Sequence, residues 1–168
     1  GHVLRSLQSW KVYHFHDTSE SAKIKLKGEI NDNEILRPDA SNLAAFLYML
    51  RETKRDYYER ITRTIRLAAP FFDDFVLRPT PDNNNTILLE WRETGTDEYF
   101  NAHSLSDGTL RFMSLTTLLL QPALPSTILI DEPELGLHPY AINLLASMLQ
   151  SASTQTQVIV STQSVPLV

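Results

Sequence analysis

The spacing of apolar side chains changes character several times along the chain. Residues 10–17 alternate aromatic and polar types. Residues 21–27 alternate again, with Ile24 and Leu26 on one face and Lys23, Lys25 and Lys27 on the other. A period of two predicts a short strand at each place. Gly28 and the Asn31-Asp32-Asn33 cluster mark turns. After Pro38 the period lengthens. Leu43, Phe46, Leu47 and Leu50 fall at helical spacing behind a cap at Asp39 or Ser41. A second helix is expected from about 54 to 69, with Tyr58, Ile61, Ile65 and Ala68 as its apolar stripe and Arg60, Arg63 and Arg66 on a solvated face; Pro70 ends it. Residues 75–77 read as a strand and 79–85 as a turn-rich loop. Residues 86–91 and 99–102 then form a hairpin around Gly95.

From residue 106 the order becomes helix, strand, helix, strand. Residues 107–121 are almost wholly apolar, which predicts a buried helix, and 127–130 form a short apolar strand. Residues 137–151 form a helix with Leu144, Leu145 and Met148 on one side, and 157–160 form a second strand. This alternation predicts an α/β fold with a parallel sheet and crossover helices.

Composition narrows the class. The chain of 168 residues, 42% hydrophobic and 21% charged, is long and apolar enough for one folded core and does not read as disordered. Without cysteine there is no disulfide, thiolate metal site or cysteine nucleophile, and the chain fits a reducing compartment. A net charge of -5 argues against broad nonspecific binding to nucleic acid, though not against a local basic patch. No apolar run is long enough to span a membrane and no secretory leader is visible, so a cytoplasmic protein without a membrane partner is expected. Gly1-His2 reads as a tag remnant, leaving 3–168 as the domain.

Three segments carry candidate chemistry. Leu105-Ser106-Asp107-Gly108-Thr109 opens the apolar helix. Ser106 is a good cap, Gly108 permits close approach to the backbone, and free N–H groups at a helix start favour a phosphate. In residues 127–133 a buried strand ends in Asp131, Glu132 and Pro133. One carboxylate there suits Mg²⁺ and its neighbour suits an attacking water, at the strand end where α/β sheets bind ligands. In residues 158–164 a second apolar strand ends in polar side chains, among them Gln163, whose amide both donates and accepts. Each segment also has a plain reading: a helix cap, a solvated strand end, a polar loop.

Taken in order, these segments resemble the second half of an ABC-type ATPase of the RecF, SMC and OLD kind, most closely over residues 104–164. Residues 105–109 look like the ABC signature and 128–132 like Walker B with its adjoining glutamate. Glu134-Leu135-Gly136-Leu137-His138-Pro139 looks like the D-loop region of RecF-like and OLD-family ATPases, and 161–164 sits where that family has its switch. The resemblance implies a partial P-loop NTPase fold, an ABC-ATPase head, with a helical and hairpin region at about 38–104 and the motifs at about 105–168. It implies ATP and Mg²⁺ as cofactors. Asp131 would hold the metal, and Glu132 and Gln163 would be catalytic. Ser106, Asp107, Gly108 and Thr109 would contact ATP bound mainly by a second head. Head dimerisation and action on DNA, in repair or phage defence, follow from the same resemblance.

Two positions depart from that pattern: Asp107 stands where the signature has its second glycine, and Gln163 where the wider family often has histidine. The G-x4-G-K-[S/T] phosphate loop is absent, since no two of the five glycines are five apart and none precedes a lysine. The chain is therefore expected to be the C-terminal half of the ATPase domain and to be inactive alone. Two readings compete: a partner-binding module that kept the fold, and a metal-dependent nuclease built on Asp131, Glu132, Glu134 and His138. His14, His16 and Asp17 form a further candidate metal set, against an ordinary surface role.

Overall fold

A computed structural model describes residues 10–167; Gly1-His2 lies outside the described residues. Its centre is a parallel sheet of β1 (Trp10–Tyr13), β8 (Thr127–Asp131) and β9 (Gln157–Ser161), in the order β1-β8-β9. The register runs Val12 to Leu129 to Ile159, and Tyr13 to Ile130 to Val160. The expected parallel sheet is thus present, with the acid-tipped strand in the middle. Ile128 and Ile130 point into the core, as the two-residue period requires. On the other face Val12 and Ile159, flanking Leu129, are 50% and 44% exposed.

Among the described residues, four α-helices accompany the sheet: α1 (Leu43–Thr53), α2 (Arg55–Ala68), α3 (Asp107–Leu120) and α4 (Pro139–Ser153). The α4 helix packs on β9 and α3, and α3 packs on α2. As predicted, α3 is buried along most of its length, and its Ser114 and Thr117 hydroxyls return to the carbonyls of Leu110 and Met113 at 3.0 and 2.8 Å. The α2 stripe is buried at Tyr58, Ile61 and Ile65, with Arg60, Arg63 and Arg66 exposed. One continuous core joins Tyr13, Leu47, Ile65, Phe112, Ile128 and Leu145.

Two small antiparallel sheets complete the fold of the described residues. One has β2 (Gly28–Glu29), β5 (Asn83–Ile87) and β4 (Pro79–Thr80), in the order β2-β5-β4. The other has β3 (Phe72–Phe75), β6 (Glu90–Glu93) and β7 (Tyr99–Asn101), in the order β3-β6-β7. The hairpin expected from 86–91 and 99–102 around Gly95 is β6–β7, but its first strand lies later, at Glu90–Glu93, because residues 86 and 87 pair within β5; Gly95 has a φ of 82°.

Several local expectations are corrected. Residues 21–27 hold a 3₁₀ turn at Lys23–Lys25, closed by Lys25 N–H to Ala22 and Leu26 N–H to Lys23. Local i to i+3 bonds replace a strand partner, so the lysines form no row: Lys25 is buried and Leu26 exposed. The 79–85 loop is the β4–β5 hairpin, closed by the Thr80 hydroxyl on Asn83 O at 3.0 Å. The strand expected at 75–77 lies earlier, because Phe72 and Phe75 are the residues that turn inward. Neither Asp39 nor Ser41 caps α1. Asp39 accepts the Ser41 N–H at 3.0 Å, and the N-cap Asn42 spends its amide on the carbonyls of Asp32 and Ile35. The α4 helix starts at Pro139, two residues later than expected, with His138 as N-cap.

Candidate functional site

The two acids leave the tip of the central strand in different directions. Asp131 is the last residue of β8, opposite Ser161 of β9, and it is exposed. By alternation it shares the side of Leu129, the face with the exposed apolar row. Glu132 N–H donates to Ser161 O at 2.7 Å, adding one rung to the ladder. Its φ is 41°, a left-handed conformation that costs a non-glycine residue roughly 1–2 kcal/mol and is typical of functional sites. Glu132 Oε1 then accepts a bond from Gln163 Nε2 at 2.7 Å. The two residues assigned catalytic roles, 31 positions apart, therefore touch.

Glu134, given no role of its own beyond the nuclease alternative, faces the same loop. Its Oε1 accepts from the Thr162 hydroxyl at 2.7 Å and from Gln163 N–H at 2.9 Å, and Thr162 Oγ1 accepts from Ser164 N–H at 3.0 Å. Its other oxygen, Oε2, is buried and has no hydrogen-bond partner in direct contact among the described residues. Burial pushes the carboxyl up, but the Thr162 hydroxyl and backbone N–H groups outweigh it and hold Glu134 below its ordinary value.

The 105–109 segment is a capped helix start. Ser106 Oγ accepts Thr109 N–H at 3.2 Å and shares a 2.8 Å bond with Thr109 Oγ1. Asp107, in the first turn, is exposed and suits the positive end of the helix. Gly108, expected to let a ligand approach the backbone, also has a packing role. A Cβ on Gly108 would lie 2.2 Å from the carbonyl oxygen of Gly136, so the helix start packs directly on the turn after β8. Gly136 itself has a φ of 77°. Ser106, Gly108, Thr109, Gly136, Leu137 and His138 line part of a cavity of about 120 Å³ beside this contact.

Arg111, which the sequence reading did not single out, ties the region together. Its guanidinium donates to Phe15 O at 3.1 Å, His16 O at 3.1 Å and Leu135 O at 3.0 Å. An arginine in the first turns of a largely apolar helix was the available signal. The segments are thus neighbours in space, but Ser106–Thr109 meets the turn at Gly136 rather than Glu132 or Gln163.

Asp131 is exposed at the strand tip and presents carboxylate oxygens, the donor type that Mg²⁺ takes. Among the described residues no three His, Cys, Asp or Glu side chains gather as a metal site. His138 Nδ1 faces Tyr140 N–H at 3.4 Å and Glu134 grips the 162–164 loop, so the four proposed nuclease ligands do not converge. No helix among the described residues is long and apolar enough to cross a membrane.

The sequence matches the family described as "AAA domain, putative AbiEii toxin, Type IV TA system" over residues 4–168. No curated protein matches it. Among solved structures, the Smc head bound to the C-winged helix domain of ScpA is similar at 16% identity and a TM-score of 0.50, over 74% of this chain and 41% of that one. An Smc head with a coiled coil and joint from Pyrococcus yayanosii is similar at 14% identity and a TM-score of 0.53, over 77% and 26%. The chain spans less than half the length of these two. At such identities the likeness is one of fold.

Proposed function

Since the chain belongs to the AbiEii-type AAA-domain family and has the mixed α/β fold of SMC ATPase heads, we propose that it supplies the water-activating half of an ATP-hydrolysing site. The observation that carries this reading is the 2.7 Å bond between Glu132 and Gln163 at the tip of the central parallel strand. Glu132 accepts the proton of a water attacking the terminal phosphate. Gln163 spends one Nε2 hydrogen on Glu132 and keeps its carbonyl oxygen and second hydrogen for that water and a phosphate oxygen. Glutamine takes up no proton here, so the switch acts by hydrogen bonding alone. Asp131, on the other side of the strand tip, is the residue that would hold Mg²⁺, which when bound neutralises phosphate charge.

This sequence holds no phosphate loop, so the reading requires ATP to be held mainly by one supplied from elsewhere. The apolar row of Val12, Leu129 and Ile159 on the Asp131 side suits a covering lobe, because parallel sheets are ordinarily buried on both faces. Ser106, Asp107, Gly108 and Thr109 address the nucleotide of a second head. With Gly108 packed on Gly136, their contribution is the Ser106 and Thr109 hydroxyls and the open N–H groups of the first turn. ATP-driven head dimerisation and work on DNA, in repair or phage defence, rest on the resemblance to RecF- and SMC-like ATPases. The Glu132–Gln163 pair weighs against a non-catalytic partner-binding module.

The test is Mg²⁺-dependent ATP turnover by a protein carrying this chain together with its phosphate-loop segment. Glu132→Gln should lower kcat roughly 100-fold or more, the usual contribution of a positioned general base, with ATP binding retained. The chain alone should neither bind nor turn over ATP. Turnover by the chain alone, abolished by Glu132→Gln, would overturn the placement of the phosphate loop elsewhere.

A further inference from the structure

Strands β8 and β9 end side by side, and the segments that follow them are free to diverge. Two acids, at alternate positions after β8, prevent this in different ways. Glu132 holds the side chain of Gln163, and Glu134 holds its main chain. Through Oε1, Glu134 takes both the Thr162 hydroxyl and the Gln163 N–H, and Thr162 passes the restraint on to Ser164 N–H. One carboxylate oxygen thereby orders three consecutive residues.

A glutamine side chain has three rotatable bonds, and Gln163 is exposed. Its amide reaches Glu132 reproducibly only if its Cα is fixed. The turn that presents Glu134 is itself braced: Leu135 N–H bonds Glu132 O at 3.1 Å, Leu137 N–H bonds Glu134 O at 3.0 Å, and Arg111 bonds Leu135 O at 3.0 Å.

We propose that Glu134 is the positioning residue of the switch segment: by clamping Thr162 and Gln163 it sets the Gln163 amide on Glu132. The inference rests on the ATPase reading above for its kinetic consequence, though not for its geometric one. It predicts that Glu134 changes the environment of a side-chain amide it does not touch.

The first arm uses this chain alone. By NMR, the Gln163 side-chain NH₂ should be shifted and protected from exchange, and Glu134→Ala should return both properties to solvent values while the protein stays folded. Glu134→Gln keeps an acceptor oxygen and should restore most of the signal. Thr162→Val removes one of the two donors and should weaken it in part, so a poorly folded Glu134→Ala leaves two further variants to read. The second arm uses the protein completed by its phosphate-loop segment. Glu134→Ala should lower kcat about tenfold or more with KM for ATP within about twofold, and add nothing in a Gln163→Ala background, because residues acting as one unit are non-additive. A folded Glu134→Ala with an unchanged Gln163 side-chain amide overturns the proposal, and so does a kcat effect that adds to that of Gln163→Ala. If Glu132→Gln leaves turnover intact, the ATPase reading fails while the NMR arm still decides the clamp.

Discussion

Gly108→Ala sets two effects of opposite sign against each other. Gly108 is the second residue of α3, where glycine is worse than alanine by up to about 1 kcal/mol in helix propensity. If the glycine served only to admit a ligand, alanine would therefore leave the ligand-free protein as stable or more so. The structure predicts the reverse. The new Cβ would stand 2.2 Å from Gly136 O and 3.1 Å from its carbonyl carbon, both backbone atoms. Reaching an ordinary contact needs a separation of roughly 1 Å, and neither side yields easily. The helix start is capped by Ser106, and the turn is held by Arg111 on Leu135 O and by its own backbone bonds. Overpacking of this kind costs about 1–3 kcal/mol, which exceeds the propensity gain. Urea unfolding of the chain reads it: a net loss of about 1–2 kcal/mol at an unchanged m-value is expected. A stability equal to or above that of the wild type would refute the packing argument and return Gly108 to a ligand-contact role.

Three further outcomes follow from the same geometry. Arg111→Met removes three charge-assisted bonds to carbonyls and should cost about 2–4 kcal/mol in urea unfolding, with Arg111→Lys a poor rescue because an ammonium lacks the planar fork; a loss below about 0.5 kcal/mol would contradict this. Thr116 is fully buried and its hydroxyl has no hydrogen-bond partner among the described residues, so Thr116→Val, which keeps the branched shape, should raise stability by about 1 kcal/mol; a loss would show that the hydroxyl has a partner. Glu134 has a native pKa below its ordinary value, so its contribution to stability is full above the unfolded carboxylate pKa of about 4.3 and is lost as pH falls through the lower native value. Stability measured from neutral pH down through that window should fall less steeply in Glu134→Gln than in the wild type, and identical slopes would contradict the clamp's charge.

The parallel sheet and its strand-tip segments were legible because their signals are local. Apolar runs ending in Asp131-Glu132 and in Ser161–Ser164, separated by one helix, admit few arrangements other than adjacent parallel strands. The Ser106 cap and the buried α3 were readable for the same reason. What failed depended on contacts distant in sequence. The alternation at 21–27 imitates a strand, but no partner strand among the described residues reaches it, and Lys25 turns inward. The asparagine-rich Asn83–Ile87 lacks an apolar alternation, and only its neighbours β2 and β4 make it a strand. The roles of Glu134 and Arg111 span 28 and up to 96 residues. The contact of Gly108 with Gly136 was equally hidden, because nothing in the sequence announces Gly136 as its neighbour.

The most direct measurement is the rate of ATP turnover with Glu132→Gln and Gln163→Ala, singly and together, in the protein that joins this chain to its phosphate-loop segment. If the pair at the strand tip activates water, each change lowers kcat roughly 100-fold, the double variant falls little further, and nucleotide binding survives in all three. Turnover within a few-fold of the wild type in the Glu132→Gln protein would contradict the assignment.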